Sequence, residues 1–197
     1  ENTRARIEEY LNEHDGVIRT GEFQRAGLHN AYLSTLVEDG RIVRLKTGLY
    51  IASEAQSVAG MFEAQLALPN CVICLGSALA YYELSTFEPP AIHVAVPRDD
   101  KTKAPEYPPT RRFSFGPARY ALGTVQNSSD GRVITIYDRE KTICDMISYR
   151  RVLGQDLVNE SLRNYLSMPG TNIDRLLEYA RQLRVAGPVQ SHLRVMA

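Results

Sequence analysis

Three shortages bound what this chain can be. No apolar run approaches the roughly 20 residues needed to span a bilayer, so a membrane-spanning helix is excluded from the reading. Cysteine is scarce: Cys71, Cys74 and Cys144 are the only three. Thiols so few and so unevenly placed cannot build a secreted disulfide framework, and they read as reduced. Net charge is missing as well, since 23 Lys and Arg balance 23 Asp and Glu. That removes the basic excess that usually marks a nucleic-acid-binding protein. The N-terminal residues show neither a basic and apolar leader nor an Arg-rich transit pattern, so the expected location is cytoplasmic. No repeat period appears.

What is present is an ordinary globular composition, 44% hydrophobic and 23% charged over 197 residues. That length supports two small domains with separate cores. The expected division is residues 1–54 and residues 55–197. Up to Ala55 there are seven Lys and Arg against nine Asp and Glu, and sixteen against fourteen after it. The first part is slightly acidic overall, yet Arg41, Arg44 and Lys46 cluster at its end, and phosphate contacts depend on local placement.

The first part carries the clearest pattern. Ile7, Tyr10 and Leu11 follow helical spacing, with Thr3 as cap and Gly16 as stop. Val17 and Ile18 form a short apolar segment, Thr20 is a second possible cap, and Gly21 to Ala26 make a short helix closed by Gly27. Leu28, Leu33, Leu36 and Val37 then mark the buried face of a third helix ending at Asp39-Gly40. Arg41 to Lys46 reads as a half-buried strand, Thr47-Gly48 as a turn and Leu49 to Ile51 as the returning strand. Three helices followed by a β-hairpin predict a winged helix-turn-helix, in which the third helix enters the major groove of double-stranded DNA. Its polar face would carry Asn30, Ala31, Ser34 and Thr35. Asn30 suits adenine, and Ser34 and Thr35 are less selective donors or acceptors. His29 is a cap or a phosphate contact. Arg41, Arg44, Lys46 and the Tyr50 hydroxyl would position the domain on phosphates. The alternative is a small helical domain with solvated polar residues, Asn30 serving as an N-cap.

The second part reads as mixed α+β. A helix is expected over Glu54 to Leu68, with Val58, Met61, Phe62, Leu66 and Ala67 on one face. A buried run follows from Cys71 to Leu75, then a helix capped by Ser77, and a strand over 91–96 ended by Pro97. Arg98 to Arg112 is charged, rich in proline and nearly free of aliphatic residues, which predicts a mobile loop. Its Lys101, Lys103, Arg111 and Arg112 are candidates for a secondary DNA contact, or for a merely solvated face. Phe113 to Phe115 and Val133 to Ile136 read as strands. Asp138 caps a helix containing Ile143, Cys144, Met146 and Ile147, and two more helices follow, roughly Asp156 to Leu166 and Ile173 to Val185, the latter capped by Thr171 or Asn172.

Motifs for chemistry are weak. Cys71 and Cys74 lie three apart on an extended segment, which turns them to opposite faces and argues against a zinc or redox pair, even with Cys144 and His93 added. Gly76-Ser77 is like the opening of a nucleotidyltransferase site, but the strand 92–96 lacks the carboxylates that hold metal ions. Asp138 and Glu140 have the makings of a nuclease site, but both sit where a helix dipole favours acids. No catalytic residue, metal site or cofactor is expected.

Gly27-Leu-His-Asn-Ala-Tyr-Leu-Ser-Thr-Leu-Val37, Gly40-Arg41 and Gly48-Leu-Tyr50 resemble the N-terminal module of the AbiEi antitoxins of type IV toxin–antitoxin and phage-defence systems. Ser77 to Leu84, Ala95-Val96-Pro97 and Asp138 to Asp145 are similar to that family's C-terminal stretches. The resemblance implies a transcriptional autorepressor that binds inverted repeats in its own promoter. It also implies a functional partner, a nucleotidyltransferase-like toxin countered without a stable complex, and a C-terminal domain that serves neutralisation and cooperative repression. One departure stands out: the family often places arginines on the third helix, and Leu28 to Val37 has none. The competing readings are a winged-helix-targeted nuclease or nucleotidyltransferase, and a module that holds the toxin directly.

Overall fold

The structure is a computed structural model and describes residues 2–196. Helix α1 (Thr3–Glu13) buries Ile7, Tyr10 and Leu11, and Asn2 rather than Thr3 caps it, its side chain accepting from Arg4 N. The chain then forms β1 (Val17–Arg19), α2 (Thr20–Arg25) and α3 (Ala31–Glu38). The hairpin β2 (Ile42–Lys46) and β3 (Leu49–Ala52) follows. Thr20 makes no side-chain cap; it is the first residue of α2. Between α2 and α3, Gly27 takes φ +75° and Leu28 N donates to Phe23 O, so the turn closes the first helix and starts the next. Leu28, Leu33 and Leu36 are buried as expected, but Val37 is exposed. A helix this short touches the core through one narrow stripe, and position 37 lies at its flank.

The three strands form an antiparallel sheet in the order β1-β3-β2. One face packs on α1 to α3 through Ile18, Ile42 and Ala52. The other face, carrying Val17, Leu45, Leu49 and Ile51, packs against α4 (Met61–Ala67) through Ala67, Phe62 and Leu66. Covering both faces of a three-stranded sheet explains why the hairpin reads as alternating yet is apolar on both sides at its base.

The helix expected over residues 54–68 is two pieces. Residues Ser53–Ala55 make one 3-10 turn, and α4 begins only at Met61. Ser57 intervenes: its N and Oγ donate to the Glu63 carboxylate at 2.5 Å each, and Gly60, at φ +68°, donates its N–H to Ser57 Oγ. This polar knot replaces the missing helical bonds and leaves Val58, expected on the buried face, 97% exposed.

Beyond it lie β4 (Val72–Ile73), α5 (Leu75–Tyr81), β5 (Ile92–Pro97), β6 (Thr110–Phe115), α6 (Pro117–Ala121), β7 (Thr124–Ser129) and β8 (Arg132–Tyr137). The remaining helices are α7 (Arg139–Ser148), α8 (Arg150–Leu153), α9 (Gln155–Ser167), α10 (Ile173–Gln182) and α11 (Ala186–Met196). The five strands form a mixed sheet in the order β6-β5-β4-β8-β7, with β5 parallel to β6 and β4 parallel to β8. Ile73, Val94, Val96, Ile134 and Ile136 face α4. Val72, Ala95, Phe113, Phe115 and Tyr137 face the helical layer of α7, α9 and α10. Among the described residues no helix is long and apolar enough to cross a membrane. The mixed α+β class of the expectation therefore holds, while α6, β7, α8 and α11 go beyond it.

Two further corrections concern local roles. Ser77 lies within α5 and does not cap it; its Oγ accepts from His93 N at 2.9 Å, tying helix to strand. The stretch from Arg98 to Arg112 is not a free loop. Pro105 and Pro108 are buried, Glu106 N donates to Leu45 O at 2.7 Å, and residues from Thr110 onward are strand β6. Of the alternative caps for α10, Asn172 makes the bond, accepting from Arg175 N at 2.9 Å.

Candidate nucleic-acid interface

The outward side of α3 follows from its inward side. Leu33 and Leu36 are buried, so at 3.6 residues per turn the opposite side carries Ala31, Ser34, Thr35 and Glu38, all exposed. Ser34 and Thr35 thus stand together on an open polar stripe. His29 is exposed beside it at the α2–α3 turn, where Gln24, Gly27, Leu28, His29 and Asn30 line a cavity of about 310 Å³. Asn30 takes helical angles and makes no side-chain cap, so its alternative role as an N-cap is not what the structure shows. Its Oδ1 is buried and, among the described residues, has no hydrogen-bond partner, and pairing with a base edge requires the amide to rotate outward.

The cations of the hairpin are engaged within the molecule. Arg41 donates to Glu8 on α1. Arg44 stays exposed, donating to Thr47 Oγ1 at 3.0 Å and lying 3.4 Å from the Glu106 carboxylate. Lys46 Nζ donates to Ala67 O at 2.6 Å, at the last carbonyls of α4, where a cation also meets the negative end of the helix dipole. Lys46 is thus an anchor between the hairpin and α4. Tyr50 packs its ring against the N-terminal core. The turn Thr47-Gly48 abuts α2, Thr20 N donating to Gly48 O at 3.0 Å.

Two cations that the sequence reading passed over are better placed. Arg19 and Arg25, at either end of α2, are exposed and, among the described residues, lie within 4.0 Å of no carboxylate. Their signal was available: in a helix-turn-helix the helix before the recognition helix crosses the phosphate backbone. The secondary cluster divides. Lys101 and Lys103 are exposed, Arg111 lays its guanidinium over the Phe113 ring at 4.9 Å, and Arg112 donates to Asp100 O at 2.7 Å.

The groups considered for catalysis have structural occupations. Asp138 Oδ1 caps α7 by accepting from Lys141 N at 2.8 Å, and Asp138 Oδ2 accepts from Tyr179 OH. Glu140 is buried and accepts from Tyr165 OH at 2.9 Å. Cys71 packs with the α4 side of the sheet and Cys74 with the helical side, so the two thiols do face apart. Burial pushes the Cys71 and Cys144 thiols up to about 12 and the Cys74 thiol well above its ordinary value. They are neutral, inert sulfurs in a core.

A model of the family described as transcriptional regulator, AbiEi antitoxin, matches residues 5–52. These residues run from α1 through β3 and hold the exposed stripe of α3 together with Arg19, Arg25, Arg41, Arg44, Lys46 and Tyr50. The C-terminal stretches of resemblance, from Ser77 onward, lie outside that match. No curated protein matches the chain. Over this N-terminal segment the chain is similar to the AbiEi antitoxin family of transcriptional regulators.

Proposed function

We propose that residues 1–54 are a winged helix-turn-helix domain that binds double-stranded DNA, and residues 55–197 an α+β antitoxin domain. In this reading the protein represses its own operon from inverted repeats in the promoter. It counters a nucleotidyltransferase-like toxin without forming a stable complex with it, in the cytoplasm. The observation that carries the DNA reading is the element order α1-β1-α2-α3-β2-β3 with sheet order β1-β3-β2, which leaves the polar side of α3 open. Asn30, Ser34 and Thr35 reach base edges, while His29, Arg19, Arg25 and Arg44 hold phosphates. Arg41, Lys46 and Tyr50 support the hairpin, and Lys101 and Lys103 extend the contact along the backbone.

Few cations are available, so binding by one copy is weak, and paired half-sites supply the affinity. Mobility shifts on the promoter fragment, measured across a salt series, test this. If Arg19, Arg25 and Arg44 each neutralise one phosphate, together they contribute about −3 per bound subunit to the slope of log K against log salt, and Lys101 and Lys103 add to it. An Arg19, Arg25 and Arg44 triple alanine variant then flattens the slope and loses the shift. Retention of both by the variant rejects the assignment of these contacts.

A further inference from the structure

Glu38 ends the outward stripe of α3, one turn beyond Ser34 and Thr35. It is exposed and, among the described residues, makes no ion pair and no side-chain hydrogen bond. The last turn of a helix disfavours a carboxylate, because the dipole is negative there, and no basic residue offsets it in this turn. The nearest cation along the chain, Arg41, donates instead to Glu8. Facing DNA, an unpaired carboxylate is a liability unless it has a donor to accept from, since every phosphate repels it.

The major groove offers such donors selectively. A carboxylate is an acceptor only. Guanine presents N7 and O6 and thymine presents O4, all acceptors that repel it. Adenine offers its N6 amino group beside the N7 acceptor, whereas cytosine offers its N4 amino group without a neighbouring acceptor. Resting on the DNA-binding reading above, we infer that Glu38 is a specificity-determining residue that accepts a hydrogen bond from the N4 amino group of a cytosine in each half-site. The repulsion that Glu38 exerts on the acceptors of guanine and thymine, and on N7 of adenine, then serves discrimination, at a cost in general affinity.

The test uses the full chain, selected against duplexes with a randomised half-site at fixed salt, as wild type, Glu38→Ala and Glu38→Gln. Fluorescence anisotropy on the selected site and its single-base variants follows. The wild type is expected to prefer cytosine at one position by about 5- to 150-fold. Glu38→Ala loses that preference at that position alone and binds random duplex more tightly. Glu38→Gln, which can both donate and accept, shifts the preference towards adenine. Alanine is the better helix former, so circular dichroism should show α3 intact. If Glu38→Ala tightens binding to every duplex and selects the same motif as the wild type, Glu38 is only a repulsive charge and the inference fails. If the wild type enriches no motif at all, the base-reading role of α3 fails with it.

Discussion

His93 shows how a residue can look like a candidate ligand and turn out to be a fastener. It is 3% exposed on β5, its Nδ1 accepts from Gly76 N at 3.2 Å, and its own N–H is held by Ser77 Oγ. Burial, with Arg111 adding to it, lowers its pKa to about 4. The folded state therefore keeps the ring neutral where the unfolded chain, titrating near 6.5, takes up a proton. Between pH 6.5 and about 4 the unfolded state binds more protons, so stability falls as pH falls, by about 3 kcal/mol across the window. Urea midpoints measured from pH 7 to 4 should show this decline, and His93→Asn, which keeps an acceptor without titrating, should flatten it. The same scale holds Lys141, fully buried, paired with Asp145 and lying 3.8 Å from the centre of the Tyr137 ring. Burial lowers the Lys141 pKa and raises that of Asp145. From the sequence, Asp138 to Asp145 was legible as a capped helix, but the partners of Lys141 come from packing.

Among the elements, the turn between α1 and β1 shows the constraint most sharply. Gly16 takes φ +77°, and a Cβ placed there would lie 2.5 Å from Ala55 Cβ. Gly16 O accepts from Ala52 N at 2.7 Å, so the turn seats the end of β3 and the start of the 3-10 turn. Gly16→Ala meets both a left-handed backbone and a clash, and is expected to cost about 1–3 kcal/mol, read as a lowered urea midpoint with an unchanged m-value. The stop at Gly16 was visible in the sequence, although what crowds it was not. Other elements resisted reading for definite reasons. The strand β7 is Thr-Val-Gln-Asn-Ser-Ser, a polar sequence held at the edge of the sheet by its pairing with β8. The break before α4 depends on the Glu63 carboxylate folding back onto Ser57, which composition does not show.

At the scale of the whole molecule, the N-terminal hairpin and the large sheet are tied at several points. Lys46 reaches Ala67 O, and Glu106 N reaches Leu45 O. Arg132 donates to Asp15 O at 3.1 Å and sits over the Phe62 ring at 4.7 Å. The charge-assisted bonds from Lys46 and Arg132 contribute about 1.5–3 kcal/mol each. A Lys46→Ala and Arg132→Ala double variant is expected to lower the unfolding midpoint and to speed hydrogen exchange in β2 and β3 more than in β5. Unchanged protection of β2 and β3 would show that the ties do not couple the two sheets.

The order of elements through residue 52, the capped α7 and the polar stripe of α3 were determined by the sequence alone, because each rests on local terms: periodicity, turn residues and caps within a few positions. Which cations remain available was decided only by the tertiary structure. Arg41, Arg44 and Lys46 look equivalent as a cluster, yet their partners are Glu8 on α1, Glu106 in a distant segment and a carbonyl of α4. A charge is spent or left open by whatever long-range packing brings to it, and no local pattern carries that information.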